Sequence, residues 1–191
     1  MSAPKRKKIV FVCTGNTCRS PMAELLLKRR LDELGLKGYT VNSAGIRAKK
    51  GDVINPKSAQ VLEENGIVAE GFTSTKLTDK IVRESFAIVC MTESQKDFLT
   101  DMRWNAFKKA GEEAQENNVR SFYEITGYEV IDPYGRDMDC YRYVYGLLSA
   151  GIDRLIDKLD LRLHAYVPKT KKPTGAPKKR GRPRKNPIIT E

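Results

Sequence analysis

Two stretches of the chain are apolar at every position: Ile9-Val10-Phe11-Val12, and Phe86 through Met91. Unbroken runs of this length, rich in β-branched residues, predict strands buried on both faces. Tyr39–Ser43 and Val119–Phe122 read as two further short strands. Between them the spacing changes to that of a helix. Met22, Leu25, Leu26 and Leu34 form an apolar stripe that Gly35 stops, and Ser20-Pro21 reads as an N-cap followed by proline at the first helical position. Asn55-Pro56 opens a second helix, which carries Val61 and Leu62 and runs to Gly66. A polar helical stretch begins near Glu93, and 111–118 reads as exposed. Val144, Leu147, Leu148, Gly151, Ile152, Leu155 and Leu159 keep the i, i+3, i+4 rhythm of an amphipathic closing helix.

Strands alternating with helices predict an α/β fold with a mostly parallel sheet covered on both faces. Ligands in such folds bind beyond the carboxyl ends of the strands, and Cys13 stands at one such end. A length of 191 residues accommodates one domain with tails. The reading is a basic arm at 1–8, a folded domain at 9–167 and a tail at 168–191 whose Lys, Arg, Pro, Gly and Thr offer too little apolar surface to fold.

Charge sharpens that division. The net charge is +11, but the arm contributes +4 and the tail +8, which leaves the domain at −1. The basic balance therefore describes the ends and not the fold. No apolar run approaches the roughly 20 residues of a membrane helix, and the apolar stretch after the arm is too short for an export signal. The expected location is cytoplasmic, with no membrane partner. In a reducing compartment Cys13, Cys18, Cys90 and Cys140 do not imply disulfides. The single histidine, His164, is far from Cys13 and Cys18, so no metal site is expected.

The candidate chemistry lies in Cys13-Thr14-Gly15-Asn16-Thr17-Cys18-Arg19-Ser20, between a strand and a helix. Gly15 and Asn16 both tolerate left-handed angles, so the loop can turn successive N–H groups inward. Such a nest binds a tetrahedral anion, and the following helix N-terminus adds to it. Arg19 offers a planar fork for two phosphate oxygens. In that field Cys13 is favoured as thiolate. It is placed to attack phosphorus and form a phosphocysteine, while the cradle stabilises the equatorial oxygens.

The string from Val12 to Glu24 resembles the active-site loop of the low-molecular-weight protein tyrosine phosphatases. Ser43-Ala44-Gly45 and Asp132-Pro133-Tyr134 look like that family's other two landmarks. The resemblance covers roughly residues 7–160. It implies a three-layer sandwich with a four-stranded parallel sheet flanked by helices, and a reaction that needs no cofactor. It assigns Cys13 as nucleophile, Arg19 as phosphate clamp, and Asp132 as the acid that protonates the leaving atom and then activates water. Thr14, Gly15, Asn16, Thr17, Cys18, Arg19 and Ser20 would hold the phosphate, with Ser20 also bonded to the Cys13 sulfur. Asn16 and Ser43 would pin the loop, and Tyr134 would wall the mouth. Cys18 would pair reversibly with Cys13 on oxidation. Relatives often support the loop with a histidine near position 72; Phe72 stands here and cannot make that contact. The 104–118 stretch looks longer than usual.

Thr17 resembles the bacterial protein-arginine phosphatase branch, where tyrosine phosphatases commonly carry an aliphatic residue. Phosphoarginine is therefore favoured over phosphotyrosine as the group removed from a phosphorylated protein substrate. A thioredoxin-coupled arsenate reductase shares the fold, but Cys90 has no second thiol about seven residues on, where Asp97 stands. The tail at 178–185 resembles an AT-hook: Arg180, Gly181, Arg182 and Pro183 suit the narrow minor groove of A·T-rich DNA. A solvated polybasic tail attracting any polyanion is the alternative. A DNA-associated protein with a secondary phosphatase domain is thus the competing reading. Oligomeric state is not legible.

Overall fold

The computed structural model of the protein describes residues 6–113 and 116–165. Arg180, Gly181, Arg182 and Pro183, with the rest of the tail, lie outside the described residues. Strands β1 (Lys7–Cys13), β2 (Tyr39–Gly45), β3 (Ala87–Cys90) and β4 (Val119–Ser121) form one sheet in the order β2-β1-β3-β4, parallel throughout. The helices are α1 (Arg19–Glu33), α2 (Pro56–Glu64), α3 (Asp79–Glu84), α4 (Glu93–Ala110), α5 (Phe122–Thr126), α6 (Met138–Lys158) and α7 (Leu161–His164). The fold is a four-stranded parallel sheet flanked by helices.

The unbroken apolar run of β1 follows from its place at the centre. Ile9 and Phe11 join one core with Leu27 of α1 and Leu148 and Ile152 of α6. Val10 and Val12 face the other way, into a core with Val82 of α3 and Leu99 of α4. A strand buried on both faces has no polar side to show. The chain leaves β1 toward β2 on one side and returns to β3 on the other, so the order reverses beside β1. That reversal opens the crevice in which such sheets bind ligands.

Local signals place most helix ends. Asn55 caps α2 by accepting from Lys57 N, with Pro56 in the first turn. Thr92 caps α4 in the same way, and Gly111 ends it at φ 67°. Three boundaries differ from the pattern. Lys7 and Lys8 belong to β1: Lys7 N donates to Gly38 O, and the Lys7 ammonium lies over the Phe86 ring. Phe122 is the first residue of α5 and not the end of β4, because Ser121 and Glu124 close a reciprocal capping box there. The closing helix begins at Met138, under the Asp137 cap, ahead of the apolar rhythm. α6 also passes so near α5 that a Cβ on Gly151 would sit 2.4 Å from Phe122 Cε1. Among the described residues no helix is long and apolar enough to cross a membrane.

Candidate active site

The loop of residues 14–18 leaves the carboxyl end of β1 and enters α1. Asn16 takes the left-handed conformation, at φ 57°. Gly15, which also tolerates such angles, does not take them. Asn16 is fully buried and its amide is fully used. Nδ2 donates to Ser20 Oγ at 2.9 Å and to Ser43 Oγ at 2.8 Å, and Oδ1 accepts from Thr75 N at 2.7 Å. Part of the loop's support thus comes from the Thr75 backbone amide, and Phe72 adds no polar side-chain contact to it. The network continues outward: Ser43 Oγ donates to the buried Glu24 at 2.6 Å, and Lys28 pairs with the same carboxylate.

The Cys13 thiol sits inside this frame. Ser20 Oγ lies 3.0 Å from Cys13 Sγ, and Asn16 N donates to the sulfur at 3.2 Å. Ser20 is therefore not the helix cap that its place before Pro21 suggested. The helix starts at Arg19 behind Cys18 and has no side-chain cap, so its first amides stay free for an anion. Gln95 braces the loop from α4: its Nε2 donates to Thr14 Oγ1 at 3.3 Å while its Oε1 accepts from Met91 N.

Arg19 reaches across to the 128–137 loop. It donates from NH1 to Val130 O at 3.2 Å and from NH2 to Asp132 Oδ2 at 2.6 Å. Its Nε is buried and has no partner among the described residues. A buried guanidinium nitrogen is costly to leave unbonded, so Nε is a donor open to an oxyanion. The second oxygen of Asp132 accepts from Tyr134 N, which fixes the carboxyl over the loop. Tyr134 is 72 % exposed at the mouth. Cys13, Thr14, Gly15, Thr17, Cys18, Arg19, Asp132 and Tyr134 line one cavity of about 240 Å³.

The other thiols are quieter. Cys18 is buried beside Cys13, 3.6 Å from the Tyr141 hydroxyl; burial pushes its thiol up despite hydrogen bonds from Tyr141 and Thr17. Cys90 is fully buried, bonds carbonyls of Thr92 and Arg120, and is pushed up to about 12, chiefly by burial. It is a core cysteine. Glu24, Gln95 and Thr75 escaped the sequence reading. Glu24 stood inside the motif without a role, whereas nothing in the sequence marks Gln95 or Thr75.

A thiol under an anion cradle, an arginine fork and a carboxyl opposite define a cysteine-dependent phosphatase. Residues 8–165 match the family model "Low molecular weight phosphotyrosine protein phosphatase". The protein-arginine-phosphatase of Geobacillus stearothermophilus is 34 % identical over 152 residues, covering 80 % of this chain and 95 % of that one. The Escherichia coli low-molecular-weight protein-tyrosine-phosphatase Etp is 30 % identical over 149 residues, 78 % of this chain and 92 % of its own. Among solved structures, the YwlE arginine phosphatase from G. stearothermophilus superposes with a TM-score of 0.69 at 31 % identity, over 83 % of this chain and 96 % of that one. The chain belongs to the low-molecular-weight phosphotyrosine protein phosphatase family. It is a cysteine-dependent protein phosphatase of phosphocysteine chemistry, similar to both arginine- and tyrosine-specific members.

Proposed function

We propose that the protein removes phosphate from phosphoarginine in proteins, with Cys13 as nucleophile, Arg19 as clamp and Asp132 as general acid. The phosphoryl group enters the cradle of inward amides, and Arg19 Nε takes one of its oxygens. Cys13 Sγ attacks phosphorus as the bond to the guanidino nitrogen breaks. Asp132 gives its proton to that nitrogen, and neutral leaving groups depart far more readily than anions. The Ser20 hydroxyl and Asn16 amide hold the sulfur in line. In the second half Asp132 takes a proton from water, the oxygen attacks the phosphocysteine, and Cys13 leaves with the Ser20 hydrogen bond supporting the departing sulfur. Inorganic phosphate is the product.

The observation that carries the substrate choice is Thr17. Thr17 is half-buried and lines the cavity, with its hydroxyl 3.7 Å from Cys18 Sγ. A polar rim suits a guanidinium or a positioned water, whereas an aliphatic one suits a phenyl ring. The similarity to two chains named as arginine phosphatases agrees with this. Phosphotyrosine is the second reading, supported by exposed Tyr134 at the mouth, where an aromatic ring can stack. The test is phosphate release from matched phosphoarginine and phosphotyrosine peptides by wild type, Cys13→Ser and Thr17→Val. Wild type should prefer phosphoarginine, Cys13→Ser should release nothing, and Thr17→Val should move the preference toward phosphotyrosine. A wild-type preference for phosphotyrosine would overturn the substrate assignment and leave the mechanism standing.

For the tail we keep the role of localiser, through A·T-rich DNA or another polyanion, in a cytoplasmic enzyme. The support is the Arg180-Gly181-Arg182-Pro183 sequence alone. Deleting 168–191 should leave turnover of a small phosphate ester unchanged.

A further inference from the structure

We infer that the enzyme selects phosphosites flanked by acidic residues, through a fixed basic rim formed by Arg47, Lys49, Lys50 and Lys76. This rests on the phosphatase reading above and names the substrate's surroundings, which the cradle itself does not read.

The rim is an arc of backbone fastened to the phosphate loop at both ends. Ile46 N donates to Cys13 O and Arg47 N to Thr14 O; farther on, Asn55 N donates to Thr17 O. Between those anchors the chain is laced to a neighbouring segment. Gly51 N donates to Ser74 O, Ser74 N to Asp52 O, and the Ser74 hydroxyl to Lys49 O. Lys76 lies opposite Gly45 in a parallel bridge, and Gly45 also bonds Thr75 and Leu77. Ala48 and Ser74 are buried beneath the arc. The cations therefore stand on a backbone that is already ordered, so engaging them costs only side-chain entropy.

Their charges are unspent. Arg47, Lys49, Lys50 and Lys76 are exposed, and none makes an ion pair with any described residue. Arg29, Arg30, Lys96, Arg142 and Arg162, in contrast, are each paired with a carboxylate. Asp52 is the one acid in the arc. The distances suit a peptide. Lys50 is three residues beyond Arg47, so their Cα atoms are at most roughly 10 Å apart, a length that two or three extended residues of a substrate also span.

The test uses phosphoarginine peptides that differ only in having Glu or Gln on both flanks. Each rate is kcat/KM, and the ratio between the two peptides is internal to each variant, so a general loss of activity cancels. Wild type should favour the Glu peptide by on the order of tenfold at low ionic strength, because each of several exposed pairs contributes a small factor. The ratio should fall toward one near 1 M salt, where the Debye length shrinks to about 3 Å. Lys49→Gln/Lys50→Gln and Lys76→Gln should each lower it. Lys37→Gln, which removes one charge as Lys76→Gln does but at the opposite end of the sheet, should not. Equal rates on both peptides, with p-nitrophenyl phosphate still turned over, would overturn the rim and leave the phosphatase intact. A ratio that survives in the rim variants, or that falls as much in Lys37→Gln, would overturn the assignment to these residues. Failure to turn over either peptide or p-nitrophenyl phosphate would instead overturn the reading beneath it.

Discussion

Asn16 offers the sharpest test of how the phosphate loop is held. Its side chain makes three hydrogen bonds in a site with no solvent access, to Ser20, Ser43 and the Thr75 amide. Each such bond contributes about 1 kcal/mol net, more when its removal leaves a buried partner unsatisfied. Truncation to alanine should therefore cost about 2–4 kcal/mol, a large part of the roughly 5–15 kcal/mol that holds a typical domain. A second term follows from φ 57°. Alanine at left-handed angles costs about 1–2 kcal/mol and glycine nothing, while glycine loses roughly 0.4–1 kcal/mol through the freer unfolded chain. Asn16→Gly should thus be the more stable of the two variants, the reverse of the order found in an ordinary helix or strand. Urea unfolding of wild type, Asn16→Ala and Asn16→Gly measures both terms. Both variants should also lose on the order of 10–100-fold in kcat, because the thiol's position is set through Ser20. Alanine equal to or more stable than glycine would refute the backbone argument. A cost under 1 kcal/mol in both would refute the network's role.

Gly45 should prove intolerant of any side chain: a Cβ there would meet Thr14 O at 2.8 Å and Asn16 N at 2.9 Å, backbone that cannot yield without moving the cradle. Gly45→Ala should fold, by circular dichroism, yet release phosphate at least about tenfold more slowly. Gly151→Ala tests packing away from the site. The intruding Cβ meets the buried Phe122 ring and Thr126 Cγ2, so stability should fall by about 1–3 kcal/mol in urea, with kcat per folded molecule unchanged. For Glu124, burial works against the carboxylate, but hydrogen bonds from Lys96 and Ser121 N outweigh it and hold the group below its ordinary value of 4.5. Its contribution to stability is complete above that value and is lost as pH falls through the lowered folded value. The stability difference between wild type and Glu124→Gln should therefore shrink on acidification below about pH 4.5.

Legibility along the chain followed sequence distance. The strand, loop and helix of the cradle were visible because thirteen consecutive residues, Val12 to Glu24, carry them. The central strands were visible because burial on both faces leaves an unbroken apolar run. What failed were local rules applied where a distant partner decides. Ser20 before Pro21 has the form of a helix cap, yet it bonds a sulfur seven residues back and Asn16. Gly15 and Asn16 both tolerate left-handed angles, and the pattern did not say which would take them; the bonds to the Asn16 side chain hold it there. The pairing of Arg19 with Asp132 spans 113 residues, and no spacing marks it. Gln95 and Thr75 reach the loop from other elements and carry no signature. Phe122 was read as strand because it is apolar and follows Val119 closely; the capping box that begins a helix there lies in Ser121 and Glu124.

The cradle and the acid belong to different parts of the fold, and Arg19 joins them. Its guanidinium holds Val130 O and Asp132 with its two terminal nitrogens and leaves Nε without a partner among the described residues. On the proposed mechanism, seating the phosphate and seating the acid would thus be one geometric event. That economy has a consequence for selectivity. A loop of backbone amides with one fork recognises a phosphoryl group, and every phosphorylated side chain presents the same one. Discrimination must therefore come from groups around the cradle. On the proposed reading, Thr17 in the cavity lining would meet the atom bearing the phosphate, Tyr134 the side chain behind it, and the basic arc from Arg47 to Lys50 with Lys76 the residues on either side. Changes in that outer ring would then alter which protein is dephosphorylated and leave the chemistry at Cys13 as it is.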